Sequence, residues 1–194
     1  SRREGHELKN QGSVGGTGYG RETPNPLDAR ADGILAKLIL KPAPGHRIGL
    51  TFEGREQDNT VQTQRLSSSL PKVTATGGKE ETERQRIAFN WDWKPSGLWF
   101  DTLSLRAWRQ DSDAHTRTQQ TRSNTSATCS GTSGSGNTCL VDMDFRFKQK
   151  TDGASLQLSS KIAGTNVAQM LTYGADWAQT RVDELRDYWI YNRT

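Results

Sequence analysis

Alternation of apolar and polar residues with a period of two, repeated in separate segments, constrains the fold of this chain most. Successive side chains of a β-strand point to opposite faces, so the alternation predicts strands that each have one apolar and one polar face. The predicted apolar stripes are, in chain order, Ile34, Ala36, Leu38 and Leu40; Ile48, Leu50 and Phe52; Ile87, Phe89, Trp91 and Trp93; Leu103, Leu105 and Ala107; Ala154, Leu156 and Leu158; and Leu171, Tyr173, Ala175 and Trp177. With a further strand near residues 2–8, the sequence predicts an all-β, antiparallel up-and-down meander of about seven strands.

One part of the pattern is irregular. Phe145 and Phe147 occupy odd positions, whereas the stripe that begins at Ala154 occupies even positions. The phase of the alternation therefore changes within this part of the chain.

The predicted connections alternate in length. Short turns at residues 42–45, 94–98 and 163–166 contain Pro, Gly or Asn, and long polar connections fall at about 10–31, 58–80 and 111–143. Outer-membrane barrels have short periplasmic turns at one rim and long extracellular loops at the other. The pattern favours part of a larger transmembrane β-barrel over a soluble β-sandwich, in which connection lengths are mixed more evenly.

Composition supports a membrane location. Hydrophobic residues make up only 31% of the chain, and the mean hydropathy is −0.84, whereas a soluble domain carries about 45–50% apolar residues. A disordered chain is poor in aromatics, but this one has six Trp, five Phe and four Tyr. A barrel whose apolar residues all point outward, with a polar lumen and polar loops, satisfies both observations.

Seven strands do not close a bacterial barrel, which has an even number of strands. We therefore expect residues 1–194 to be a partial barrel segment that is flanked by further chain.

The 26 basic and 22 acidic residues are interspersed, so the net charge of +4 forms no basic patch and we expect no nucleic-acid partner.

Two cysteines flank a Ser- and Gly-rich stretch. Cys129 and Cys139 are close in sequence, which predicts a disulfide in an oxidising compartment. The alternative is a metal pair, but the neighbouring sequence lacks the further Cys or His ligands that zinc requires. We therefore predict the disulfide and no metal site.

Of the three histidines, His115 is the candidate for ligand binding. It lies in the longest predicted loop, and imidazole is a common ligand of haem iron. The alternative is a solvated loop histidine without a partner. Three scattered histidines provide no Ser-His-Asp arrangement, so we expect no enzymatic activity; an outer-membrane lipase remains the enzymatic alternative.

Several segments resemble one receptor family. Residues 2–10 (RREGHELKN), 23–28 (TPNPLD), 34–38 (ILAKL) with 46–51 (HRIGLT), and 171–177 (LTYGADW) occur in the expected order. Together they resemble the barrel of TonB-dependent haemoglobin, transferrin and lactoferrin receptors, the haem-uptake branch of outer-membrane receptors.

The resemblance implies a barrel of about 22 strands filled by a plug, in the outer membrane of a Gram-negative bacterium. Haem, or a haem carrier such as haemoglobin, would be the transported ligand rather than an intrinsic cofactor, and the TonB complex would act through the plug. The given sequence contains neither the plug nor the TonB box. A secreted or surface-displayed, adhesin-like β-sandwich is the alternative binding module.

Overall fold

The chain folds into one seven-stranded sheet. A computed structural model describes residues 1–64, 66, 72–123, 138–163 and 168–193. The strands are β1 (Arg2–His6), β2 (Leu27–Leu40), β3 (His46–Thr63), β4 (Lys72–Trp93), β5 (Thr102–Ser123), β6 (Thr138–Ala163) and β7 (Ala168–Arg193). Each strand pairs antiparallel with its neighbours in the chain, and the described residues contain no helix. The predicted all-β meander of seven strands is confirmed.

The predicted loops at 58–80 and 111–143 are wrong over most of their length. Strands β3 and β4 pair as far as Thr63 and Thr76, and β5 pairs with β6 as far as Ser123 and Thr138. The connections are thus reduced to residues 64–71 and 124–137. Backbone pairing continues there on β3, β4 and β5 with polar residues on both faces, so these segments gave no alternation from which a strand could be predicted.

The first short turn depends on a glycine. Gly45 has φ +81°, and a Cβ built on it would lie 2.5 Å from the carbonyl oxygen of Lys94. The carbonyl of Gly45 accepts a hydrogen bond from the Lys94 NH at 2.9 Å, so the turn at Gly45 and the turn that begins at Lys94 meet at one rim of the sheet. We call this rim, which holds residues 41–45 and 94–101, the turn end, and the opposite rim the loop end.

The register separates two faces of the sheet. Leu50, Phe89 and Leu105 share the first, which we call face A, while Asn90 and Arg106 share the second, face B. All the predicted apolar stripes lie on face A. The strand and face assignments of these stripes are therefore confirmed.

The change of phase on β6 has a simple explanation. Residues 138–163 form one continuous strand, so Phe145 and Phe147 lie on face B while Leu156 lies on face A. The strand does not break; its apolar residues pass from one face to the other along its length.

The sheet has almost no interior. Among the described residues, the buried hydrophobic side chains are only Phe100, Cys139 and Val141. Exposed large apolar residues are far more numerous, and Leu38, Ile87 and Trp177 on face A are each more than half exposed. A β-sandwich buries one face of each of two packed sheets, and the described strands form a single layer.

Candidate functional site

The apolar residues of face A form a continuous band across β2 to β7, which we call the apolar band. On β4 it runs from Ile87 to Trp93, and on β6 from Ala154 to Ile162. A tilted strand needs about 9–11 residues to cross a bilayer. On β6 the band spans nine residues, with Ser160 as its one polar member on face A, and so reaches the lower end of this range, whereas on β4 it spans seven.

The limit of the band toward the loop end is oblique to the strands. Ile34 on β2 shares its hydrogen-bonded row with Arg181 on β7, but the stripe on β7 already ends at Trp177. This displacement is about 13 Å along the strands over about 24 Å across them, which corresponds to an angle of roughly 30°. Strands of outer-membrane barrels tilt by about 35–45°, so the band has nearly the slope that a membrane plane makes with tilted strands.

Beyond the band, face A becomes charged on every strand from β2 to β7. The first charged residues on this side are Asp32, Glu56, Glu83, Arg109, Asp152 and Arg181. Arg109 Nε lies 3.5 Å from Asp111 and 3.8 Å from Asp152. The change in polarity is therefore abrupt.

Face B is mainly polar at the level of the band, where its large apolar side chains are Leu35, Ile39, Trp108 and Met170. Arg47 donates a hydrogen bond to Asp92 at 3.4 Å, and Ser104 Oγ donates one to the same carboxylate at 2.9 Å. Asn90 and Arg106 lie on the next row. At this level one face of the sheet is apolar and the other is mainly polar.

Aromatic rings cluster on face A at the turn end. Trp91 and Trp93 stack with centroids 6.0 Å apart, and His46 stacks against both at 5.9 and 5.3 Å. The indole NH of Trp91 donates to His46 Nδ1 at 3.2 Å. Trp99 stacks on Tyr173 at 5.8 Å. Tryptophan and tyrosine are enriched where a membrane meets water, and this cluster borders the apolar band.

His115 lies in β5 and not in a loop, so its predicted position is wrong. Its Nε2 lies 3.0 Å from an oxygen of Asp144, and its Nδ1 lies 3.5 Å from an oxygen of Glu81. Both ring nitrogens thus face carboxylates within the charged part of face A. To ligate iron, the imidazole would have to leave one of these carboxylates; its role as a haem ligand remains a prediction.

The two carboxylates beside His115 are stabilised in their ionised form. Contact with Lys79, and then with His115, holds the pKa of Glu81 below its ordinary value. Burial acts to raise the pKa of Asp144, but hydrogen bonds from Arg146 and His115 together outweigh it and lower the pKa. The arrangement is an ion-pair network that joins β4, β5 and β6.

A second network, nearer the loop end, surrounds the buried carboxylate of Asp142. Arg117 Nε donates to it at 3.0 Å, and Gln119 donates at 3.1 Å. The hydrogen bond from Arg117 is the main cause that lowers the pKa of Asp142, and burial opposes it. Nothing in the sequence pairs Arg117 with Asp142, because the two residues lie on different strands and 25 positions apart in the chain.

Of the two cysteines predicted to form a disulfide, only Cys139 lies in the described part of the chain. Cys139 is fully buried against Val141, and the described part of the chain contains no free cysteine. Cys129 lies outside the described residues, so its pairing with Cys139 remains a prediction. Across the described ranges, no group of three or more His, Cys, Asp or Glu residues is placed to hold a metal ion.

Within the part of the chain that the structure describes, no helix is long and apolar enough to cross a membrane. No protein-family model matches the chain, and no curated protein sequence matches it.

Proposed function

We propose that this chain forms part of the wall of an outer-membrane receptor barrel for haem or a haem carrier, with face A toward lipid and face B toward the lumen. The observation that carries the proposal is the oblique apolar band on a single-layer sheet. Each large side chain removed from water contributes roughly 1.5–3 kcal/mol. A single-layer sheet has no second layer that could cover the apolar band. The hydrocarbon core of a membrane would remove these side chains from water instead.

The polarity of the two faces supports this orientation. Lipid-facing and lumen-facing residues alternate along the strands of a membrane barrel, as the apolar band and the Asp92 network do here. Charges inside a membrane protein face a lumen or a cavity. Arg106 and Asp92 would thus line the interior.

The strands extend far beyond the band. On β6, residues 138–152 lie beyond it toward the loop end, which corresponds to about 50 Å along the strand. This part would project from the outer surface as an extracellular wall. The receptor role, with haem as its ligand, rests on the resemblance of residues 2–10 and 171–177 to haem-uptake receptors.

Quenching by lipid tests the orientation directly. In the full-length receptor, variants that retain a single tryptophan, Trp91 on face A or Trp108 on face B, are reconstituted in bilayers of brominated lipid. Quenching falls off steeply with distance from the bromine atoms, so we expect strong quenching of Trp91 and weak quenching of Trp108. Equal quenching of the two would disprove the assignment of the faces.

Uptake tests the ligand. A Gram-negative strain that requires haem as its iron source, and that carries this receptor as its only haem receptor, should grow on haem or haemoglobin. The matched strain without the receptor should not grow. Growth of both strains, or of neither, would contradict haem uptake without affecting the membrane assignment.

A further inference from the structure

The two faces exchange character along β6. At the level of the apolar band, β6 presents Leu156 on face A and Ser155 on face B. Nearer the loop end, Asp142 and Asp144 lie on face A, while face B carries Val141, Met143, Phe145 and Phe147. On β6, the face that would line the lumen is therefore apolar where the opposite face is charged.

Neighbouring strands extend this apolar surface on face B. Tyr188 on β7 is paired directly with Met143, and Arg186 with Phe145. Tyr188 is 51% exposed, and Phe145 and Phe147 are partly exposed. We call Phe145, Phe147 and Tyr188, with Arg122 and Arg186, the inner patch.

The inner patch is supported from one side. Cys139 and Val141, both fully buried, form a small core with Met143 and Ile190. This core adjoins the patch on the side of the loop end, on the same face. The aromatic side chains thus stand on paired strands next to a packed cluster, which favours a fixed surface.

Two guanidinium groups border the patch. The Arg186 guanidinium lies over the Phe145 ring, 5.2 Å from its centroid, and also contacts Glu184 on its own strand. Arg122 bonds to Gln120 at 2.7 and 3.0 Å and donates to the Tyr188 hydroxyl at 3.4 Å. These hydrogen-bond partners of Arg122 are neutral, so its positive charge can still be matched by a carboxylate.

We propose that the inner patch binds a porphyrin, with the ring against Phe147, Tyr188 and the exposed part of Phe145, and with a carboxylate at Arg122. This inference rests on the proposed function, which places face B in the lumen. An apolar planar ring matches the aromatic side chains. Carboxylates match guanidinium groups in charge and geometry. These contacts do not involve the iron, so a porphyrin without a metal should also bind.

The test uses the full-length receptor in detergent, titrated with protoporphyrin IX and followed by porphyrin absorbance. Phe145→Ser and Arg122→Gln should each weaken binding about tenfold. The controls are Leu185→Ser and Arg146→Gln, which change an apolar and an arginine side chain on face A. Leu185 and Arg146 are paired with each other, one residue from Phe145 and Arg186, and both variants should leave affinity unchanged. Thermal unfolding of each variant verifies that it is folded.

The dimethyl ester of protoporphyrin IX separates the two parts of the proposal. It keeps the ring and lacks the charges, so its weaker binding should respond to Phe145→Ser and not to Arg122→Gln. Unchanged porphyrin affinity in both face B variants, or equal losses in the face A controls, would overturn the inference. Binding of haemoglobin without any binding of free porphyrin would also overturn it, since the surface would then contact protein.

Failure here is distinguishable from failure of the proposed function. The lipid-quenching contrast between Trp91 and Trp108 does not involve the inner patch. A normal contrast without porphyrin binding would reject the inner patch alone, whereas loss of the contrast would reject the barrel wall.

Discussion

Phe89 and Asn90 are adjacent in β4 and lie on opposite faces, so the same substitution at each measures the polarity of the two faces. Phe89 lies in the middle of the apolar band, paired with Leu50 on one side and Ala107 on the other. An arginine at the midplane of a membrane barrel costs about 2–4 kcal/mol on the lipid face. Phe89→Arg should therefore lower the free energy of unfolding by about this amount.

Asn90→Arg is the matched control. Asn90 is paired with Gly49 and Arg106 on face B, so the new charge meets one like charge directly across the sheet. Such a pair costs roughly 0.2–1 kcal/mol, and the lumen of the proposed barrel would hydrate both groups. The expected loss is thus several times smaller than at Phe89.

Urea unfolding of the protein in lipid vesicles, followed by tryptophan fluorescence and by heat-modifiable gel mobility, gives both free energies. A comparison of midpoints requires equal slopes, because a changed slope signals a changed unfolded or folded ensemble. Equal losses at the two positions, or a larger loss at Asn90, would refute the argument that face A meets lipid.

Two further predictions concern the sheet itself. Gly153→Val should destabilise the protein by about 1–3 kcal/mol, because a Cβ at Gly153 would lie 2.2 Å from Trp108 Cζ2. Gly78→Ala, whose new Cβ would have its nearest contact at 3.8 Å, should destabilise the protein less in the same unfolding assay. Equal losses of stability would show that Trp108 moves aside freely. Because the folded-state pKa of Asp142 is depressed, chiefly by Arg117, its stabilising contribution is present above the ordinary aspartate pKa near 3.8 and is lost as the pH falls through the lower, folded value. Asp142→Asn should therefore unfold more easily at pH 6 and show a smaller decline in unfolding midpoint below pH 4 than the parent protein, and a parallel decline in both proteins would contradict this role.

The part of the sheet that carries the apolar band was largely predictable. Alternation identified the stripes that include Leu50, Phe89 and Leu105, because a strand with one apolar face carries its orientation in its own residues. The short turn at Gly45 was likewise predictable from its Pro and Gly residues. The part of the sheet nearer the loop end was not predictable. A strand that is polar on both faces, such as β4 around Glu81 or β5 around His115, shows no alternation and looks like a loop.

By itself, the sequence determined the period, the apolar stripes and the antiparallel order, because these depend on the spacing of side chains along one strand. Only the tertiary structure decided the oblique limit of the apolar band, the carboxylates around His115, and the placement of Tyr188 beside Arg122 and of Phe145 beside Arg186. Each of these depends on the register between strands that are distant in sequence, and register is fixed by backbone pairing across the sheet.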